Sequence, residues 1–268
     1  MVTLSGRDAF RSELTAVAGR DGRVVCLETL SRSKDHPFEA AHPDRFFSVP
    51  NAGSVLTQMV TGLGAAGFRP FVVVTPGAVK GRAVAPRSLW RDCLQAGATV
   101  VMPPEQFPEG YDEVRGLYGI PLAVPCGEEE TRAVVRQAVR TGRPHCLVLG
   151  EGAGVDLSWE SSEPSMAAAR LISVGEAGTR LALAARAVAP GLGHAHLVYL
   201  DDVRLSAAAA ELGAWTGKSV VVAAPRLLGP VVRALRARLP VDSVRGVPAA
   251  VGAGAGAEVA EVLAAAAG

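Results

Sequence analysis

His194 and His196 stand one residue apart in GHAHLVYLDD, a spacing that puts both imidazoles on one face of a strand. Such a pair can open a metal site. The same alternation suits a half-buried strand, and with no third Cys, His or carboxylate evident nearby, the strand is the reading adopted and no metal is expected. Asn51, Ser54 and Gln58 gather at the head of an expected helix. There they either touch a ligand or act as N-caps and solvent-facing residues. Arg7, Arg45 and Arg82 can face a cleft or a subunit surface, with a surface salt bridge as the alternative. Cys26, Cys93, Cys126 and Cys146 are widely spread, without the close pairs that zinc sites and redox motifs use, so they read as buried free thiols. The run GAGAGAE, 252–258, echoes a dinucleotide loop. It has no following strand and helix unit, and is read as a flexible turn ahead of a last helix.

The elements that must position these groups follow from hydrophobic periodicity. Val24 to Leu27, Phe71 to Thr75, Thr99 to Met102, Pro121 to Val124 and Cys146 to Leu149 are short apolar runs of the kind that form strands buried on both faces of a parallel sheet. Between them lie helix-period segments at Arg7 to Val17, Ser54 to Ala66 and Glu128 to Arg140, the last opening with three glutamates that suit a helix N-terminus. The polar stretch GAGVDLSWESSEPS then breaks the pattern, and a second alternation follows. It runs through strands at Arg170 to Val174, His196 to Leu200 and Ser219 to Ala223. Its helices reach through Ala189, lie near Ala207 to Leu212, and run from Leu227 to Leu239. The expected fold is α/β, with two doubly wound domains at 1–152 and 167–268 joined by a linker at 153–166.

The 268 residues are 49% hydrophobic and 20% charged, a globular composition. Basic and acidic residues nearly cancel, 27 against 26, and no basic run interleaves with aromatics, which argues against a nucleic-acid partner. No apolar stretch reaches the roughly 18 to 20 residues needed to span a bilayer, and MVTLSGRDAFRSEL lacks a signal-peptide core, so the expectation is a cytoplasmic protein without a membrane partner. The load of Ala, Gly, Val and Arg with few Lys fits a high-GC bacterium.

HPDRFFSVPNAGSVLTQMVTGLGAAGFRPFVVV, His42 to Val74, resembles the pyrimidine-side domain of transketolase-like thiamine diphosphate enzymes. That family reads approximately P-D-R-F-F-x-V-G-I-A-E-Q-N-M-x-x-x-A-x-G-L-A-x-x-G-x-x-P-F-V. Pro43, Asp44, Arg45, Phe46, Phe47, Val49, Ala52, Gly62, Leu63, Gly67, Pro70, Phe71 and Val72 fall in register without a gap. GKSVVVAAPRLLGPVVRAL is similar to the family's C-terminal domain near its end. The resemblance implies the C-terminal half of a transketolase: a pyrimidine-binding domain followed by a smaller C-terminal domain, as in the β-type subunit of a split enzyme.

The resemblance also marks departures. The family's glutamate, which exchanges a proton with the cofactor's aminopyrimidine, is replaced by Gly53, and glycine has no group for that task. The next two positions are Ser54 and Val55. Thr75 and Ala78 stand where the family stacks aromatics on the pyrimidine, and Glu151 where sugar-phosphate enzymes place an arginine. The PPEQFPEGYDEVRGLYGI loop carries no histidine. Asn51, Gly53, Ser54, Thr75 and Ala78 are thus the cofactor-side positions, with Arg7, Gln58, Arg82 and Glu151 toward substrate or interface. No G-D-G motif occurs, so thiamine diphosphate and its magnesium would need a separate diphosphate-binding chain, and a hetero-oligomer built through a self-dimer is implied. Three readings stay open: a subunit moving a two-carbon ketol or acyl unit, an inactive scaffold subunit, and a small-molecule binding protein.

Overall fold

The computed structural model describes residues 4–29, 36–49, 53–74, 87–107, 120–150, 155, 169–201, 205–206, 210, 218–239, 244–249 and 255–267. Chain order runs α1 (Gly6–Ala18), β1 (Val24–Glu28), α2 (Pro37–Ala41), β2 (Phe46–Ser48), α3 (Gly53–Ala65), β3 (Arg69–Val73), α4 (Arg87–Gln95) and β4 (Thr99–Met102). It continues with β5 (Leu122–Ala123), α5 (Gly127–Thr141), β6 (Cys146–Val148), β7 (Ala169–Val174), α6 (Gly175–Val188) and β8 (Gly193–Leu197). β9 (Lys218–Ala223), α7 (Pro225–Arg236), β10 (Val244–Pro248) and α8 (Ala255–Ala267) complete it.

The strands form two parallel sheets, β2-β1-β3-β4-β6-β5 and β10-β9-β7-β8. Continuous apolar runs such as VVCLE and VVVA make this possible, because helices then cover both faces. On one face of the first sheet, Phe10, Leu14 and Val17 of α1 and Val134, Val135 and Ala138 of α5 pack on Cys26, Phe71 and Leu147. On the other, Leu56 and Val60 of α3 and Trp90 and Leu94 of α4 pack on Leu27, Val72 and Val100. That second cluster continues without a break into Ile172, Val174 and Val221 of the second sheet and Leu227, Val231 and Leu235 of α7. The outer face of the second sheet is closed by α6 and α8 through Leu181, Ala182 and Val262 on Leu171 and Val220. The fold is therefore α/β with two doubly wound sheets.

Helix ends are set locally. Ser5 caps α1, its Oγ accepting from Asp8 N at 3.1 Å. α5 carries three glutamates in its first turn, and Glu130 Oε2 reaches back to accept from the N-cap amide Cys126 N at 2.7 Å. Gly175 turns the chain from β7 directly into α6 at φ +65°, in the left-handed region that favours glycine.

One strand differs from expectation. His196 to Leu200 is not a single strand, because Gly193–Leu197 pairs in parallel with β7. The next residues leave that sheet for the first one: Val124 N donates to Val198 O at 2.7 Å and Leu200 N to Leu122 O at 2.8 Å, around an antiparallel bridge between Ala123 and Tyr199. β5 thereby holds the two sheets together. Within 252–258, Ala255–Glu258 is already helical, since Gly and Ala there continue into α8 rather than forming a turn. Of the expected linker 153–166, all but Val155 lie outside the described residues, as does most of the helix expected near Ala207 to Leu212.

Candidate functional site at the carboxyl ends of β1 and β3

β2 lies on one side of β1 and β3 on the other, so the chain reverses its lateral direction at β1. In open parallel sheets ligands bind in the crevice outside the strand carboxyl ends at such a reversal. Here that crevice is bounded by Glu28 and Thr29 after β1, Val49 after β2 and Val74 after β3, tied by Val49 N to Glu28 O at 2.8 Å and Thr29 N to Val73 O at 3.1 Å. α3 starts four residues beyond Val49, at Gly53, so its N-terminal amides sit at this end of the sheet.

The charged feature of this end is Glu28, 2% exposed. His36 Nε2 lies 2.9 Å and Arg11 Nη2 3.1 Å from the same oxygen, Oε1. His36, itself buried, caps α2 with Nδ1 accepting from Glu39 N at 3.4 Å, which places a proton on Nε2 facing Glu28. Burial pushes the Glu28 carboxyl up, but His36 and Arg11 outweigh it and hold the group below the ordinary carboxylate range. A carboxylate fixed in this way is a poor proton carrier, and it lies on the α1 and α2 face of β1, opposite the Leu27 face that packs on α3. Glu28 is therefore not placed to exchange a proton with a ligand lying against α3. Its signal in the sequence was an acidic residue directly ending an apolar run.

Gly53 and Ser54 are the first two residues of α3, at the crevice, and Gln58 is exposed one turn further on. Arg7 lies part-buried in the first turn of α1, where a Cβ on the preceding Gly6 would come 3.5 Å from Gly150 O at the end of the first sheet. Asn51, Thr75, Ala78, Arg82 and Glu151 lie outside the described residues. Arg45 does not face the cleft: Nη1 donates to Ala18 O at 3.1 Å and Nη2 lies 2.9 Å from His42 Nδ1, so it caps the carboxyl end of α1. This gives a structural reason for the arginine in PDRFF.

His194 and His196 share a face as expected. Both reach Ser173 Oγ, at 2.8 and 3.0 Å. A carboxylate does lie within reach, contrary to the sequence reading: Glu130 of α5 sits 3.1 Å from His196 Nε2. Sequence could not show it, because the two are 66 residues apart and meet only where the sheets join. Among the described residues no three His, Cys, Asp or Glu side chains are grouped to hold a metal ion. All four cysteines are free and buried. No described helix is long and apolar enough to cross a membrane.

α3 and the turn after it carry an uncharged surface that runs away from the crevice. Gly53 to Phe68 contains no charged residue, yet Val55 is 56% and Phe68 39% exposed, and a Cβ on Gly62 would meet nothing within 4 Å.

Solved structures with this arrangement include transketolases. A split-gene transketolase described as an inactive β4 tetramer matches with a TM-score of 0.73 and 21% identity, covering 99% of this chain and 99% of that one. Campylobacter jejuni transketolase matches with a TM-score of 0.67 and 12% identity over 98% of this chain and 45% of that one. Leishmania mexicana transketolase gives 0.66 and 12% over 98% and 44%. In sequence, an uncharacterised transketolase family protein of Sinorhizobium fredii is 40% identical over 65 residues, 24% of this chain and 19% of that protein. No family model matches. The chain is transketolase-like, with the fold of the C-terminal half of such enzymes, and spans less than half the length of the single-chain transketolases it matches.

Proposed function

We propose that this chain is the pyrimidine-side subunit of a two-component transketolase-like complex, divided as 1–152 and 167–268 around a linker at 153–166. A separate chain supplies the contacts to diphosphate and magnesium, and the pair moves a two-carbon ketol or acyl unit. The observation that carries this reading is the uncharged run from Gly53 to Phe68, with Val55 exposed in the first turn of α3 beside the strand-end crevice and Phe68 exposed beyond the helix's other end. An apolar helix surface of this kind suits contact with another subunit. The similar split-gene protein assembles as a tetramer of one subunit type, which supports self-association here as well.

The described residues do not fit the proton-exchange side of thiamine diphosphate. α3 begins with Gly53, and the buried carboxylate nearby, Glu28, is held by His36 and Arg11 on the other face of β1. No proton-transfer step through that cofactor is assigned to this chain. This observation favours a second reading, in which the chain keeps the fold and the assembly surface and stabilises its partner without taking part in the chemistry.

Deuterium exchange at the thiazolium carbon of thiamine diphosphate, measured on the assembled complex, separates the two. Exchange in the wild-type complex supports the catalytic subunit. Exchange that appears only in Gly53→Glu, rising on the order of a hundredfold as expected of a positioned acid or base, supports the scaffold reading with its pocket intact. No exchange in either removes the cofactor from this chain's function.

A further inference from the structure

β5 is two residues long and ends the first sheet, with β6 on one side. On its other side stand Leu122 O and, just beyond the strand, Val124 N, both from residues only 2% exposed. Groups so buried need partners. They find them in the chain that leaves β8: Leu200 N donates to Leu122 O at 2.8 Å and Val124 N to Val198 O at 2.7 Å, around the antiparallel bridge between Ala123 and Tyr199. The segment 198–200 is thus a strap from the second sheet across the edge of the first.

Packing around the strap is close and apolar. Leu200 is 1% exposed, in the cluster that also holds Leu122 and Phe107 from one side of the seam and Ile172 and Leu227 from the other. Polar ties flank it: Arg226 of α7 donates to Phe107 O at 3.1 Å, and Glu130 of α5 lies 3.1 Å from His196 Nε2. Two glycines let the sides meet, since a Cβ on Gly175 would come 2.8 Å from Val124 Cγ1 and one on Gly150 would strike Glu176 Oε2. Domains move against each other by default unless a large apolar interface joins them, and here the core runs through the seam. Parting it would expose that core and orphan Leu122 O and Val124 N at once.

We propose that 198–200 is a locking strap that makes the two sheets one cooperative unit. The second sheet and its helices then do not swing as a lid over the crevice at β1 and β3, and the seam parts only when both sheets unfold. This holds whether or not the chain takes part in cofactor chemistry.

The test is native-state amide hydrogen exchange of the full chain at a series of low urea concentrations, comparing β1 and β3 with β7 and β9. The expected result is one protection factor for the slowest amides of both sheets, with one urea dependence. The decisive variant is Val262→Ala, which empties a fully buried position on α8 that packs only within the second sheet's outer core. It should lower protection in β1 and β3 by the same factor as in β7 and β9, on the order of tenfold or more for a large-to-small change in a core. Second-sheet amides that exchange through their own opening, with a shallower urea dependence, or a Val262→Ala loss confined to β7 and β9, overturn the proposal. Should Val262→Ala fail to fold its second sheet, the first decides: lost with it, the strap couples them; still protected, it does not.

Discussion

Arg136 of α5 holds Glu13 of α1, its Nε donating to Oε1 at 2.8 Å. Arg132, one turn earlier, donates to Oε2 at 3.0 Å, so a carboxylate only 4% exposed is clamped by two guanidinium groups along the α1–α5 contact. Arg136 first, and Arg132 after burial's opposing effect, hold the Glu13 carboxyl below its ordinary range. Its stabilisation is therefore complete above the unfolded value of about 4.3 and is lost as pH falls through the folded one. Glu13→Gln should cost about 1–3 kcal/mol at pH 7. Thermal melts should show the gap between variant and wild type narrowing as pH falls below about 4.3; a gap that does not narrow with acid contradicts the ion-pair account.

The buried Glu28 group predicts an asymmetry between two substitutions. Glu28→Ala leaves His36 Nε2 and Arg11 Nη2 without their acceptor and should cost about 3–5 kcal/mol. Glu28→Gln keeps a carbonyl that accepts from one of them and should cost markedly less. Urea unfolding midpoints read the difference, and equal costs would mean that charge and not acceptor geometry governs the site.

The thiols should be inert in the native protein. All four are buried, and burial pushes Cys93 and Cys126 up to about 11 and Cys146 up to about 12. The thiolate is the reactive form. Ellman's reagent at pH 8 should titrate the cysteines only after denaturant is added; prompt native reaction would place a thiol at the surface.

Two helix glycines should respond in opposite ways. A Cβ on Gly178 would sit 2.2 Å from Val222 O, so Gly178→Ala must push α6 off β9, at about 1–3 kcal/mol. Gly62 has open space, so Gly62→Ala should leave the isolated chain unchanged or stabilise it by up to about 1 kcal/mol through helix propensity. The same change should weaken assembly if α3 is the contact surface. Melting temperatures of the free chain and of the complex check both.

Much of the fold was legible because buried parallel strands announce themselves as uninterrupted apolar runs: VVCLE, TVVM and KSVVVA all form strands where such runs predict them. β2 and β10 carried weaker signals. FFS is three residues long, and in VRGVP only Val244 and Val247 are buried. Near the proposed site, the helix expected at Ser54 to Ala66 was legible and forms as α3. Glu28 with Arg11 and His36, and Glu130 with His196, were not, because each joins residues that tertiary packing alone brings together. Arg45 was read as facing a cleft or subunit surface, or else as a surface salt bridge; Asp44 lies 3.9 Å from its Nε, and its backbone acceptors, Ala18 O and Asp21 O, lie more than twenty residues back in the chain.

The central claim is that this chain needs a second, diphosphate-binding subunit. Native mass spectrometry of the full chain co-expressed with a neighbouring-gene product carrying G-D-G, with thiamine diphosphate and magnesium present, tests it most directly. The account predicts a hetero-oligomer containing pairs of this chain, disrupted by Val55→Lys while the variant's own melting temperature is unchanged. A chain that stays free of that partner, with Val55→Lys behaving as wild type, would contradict it.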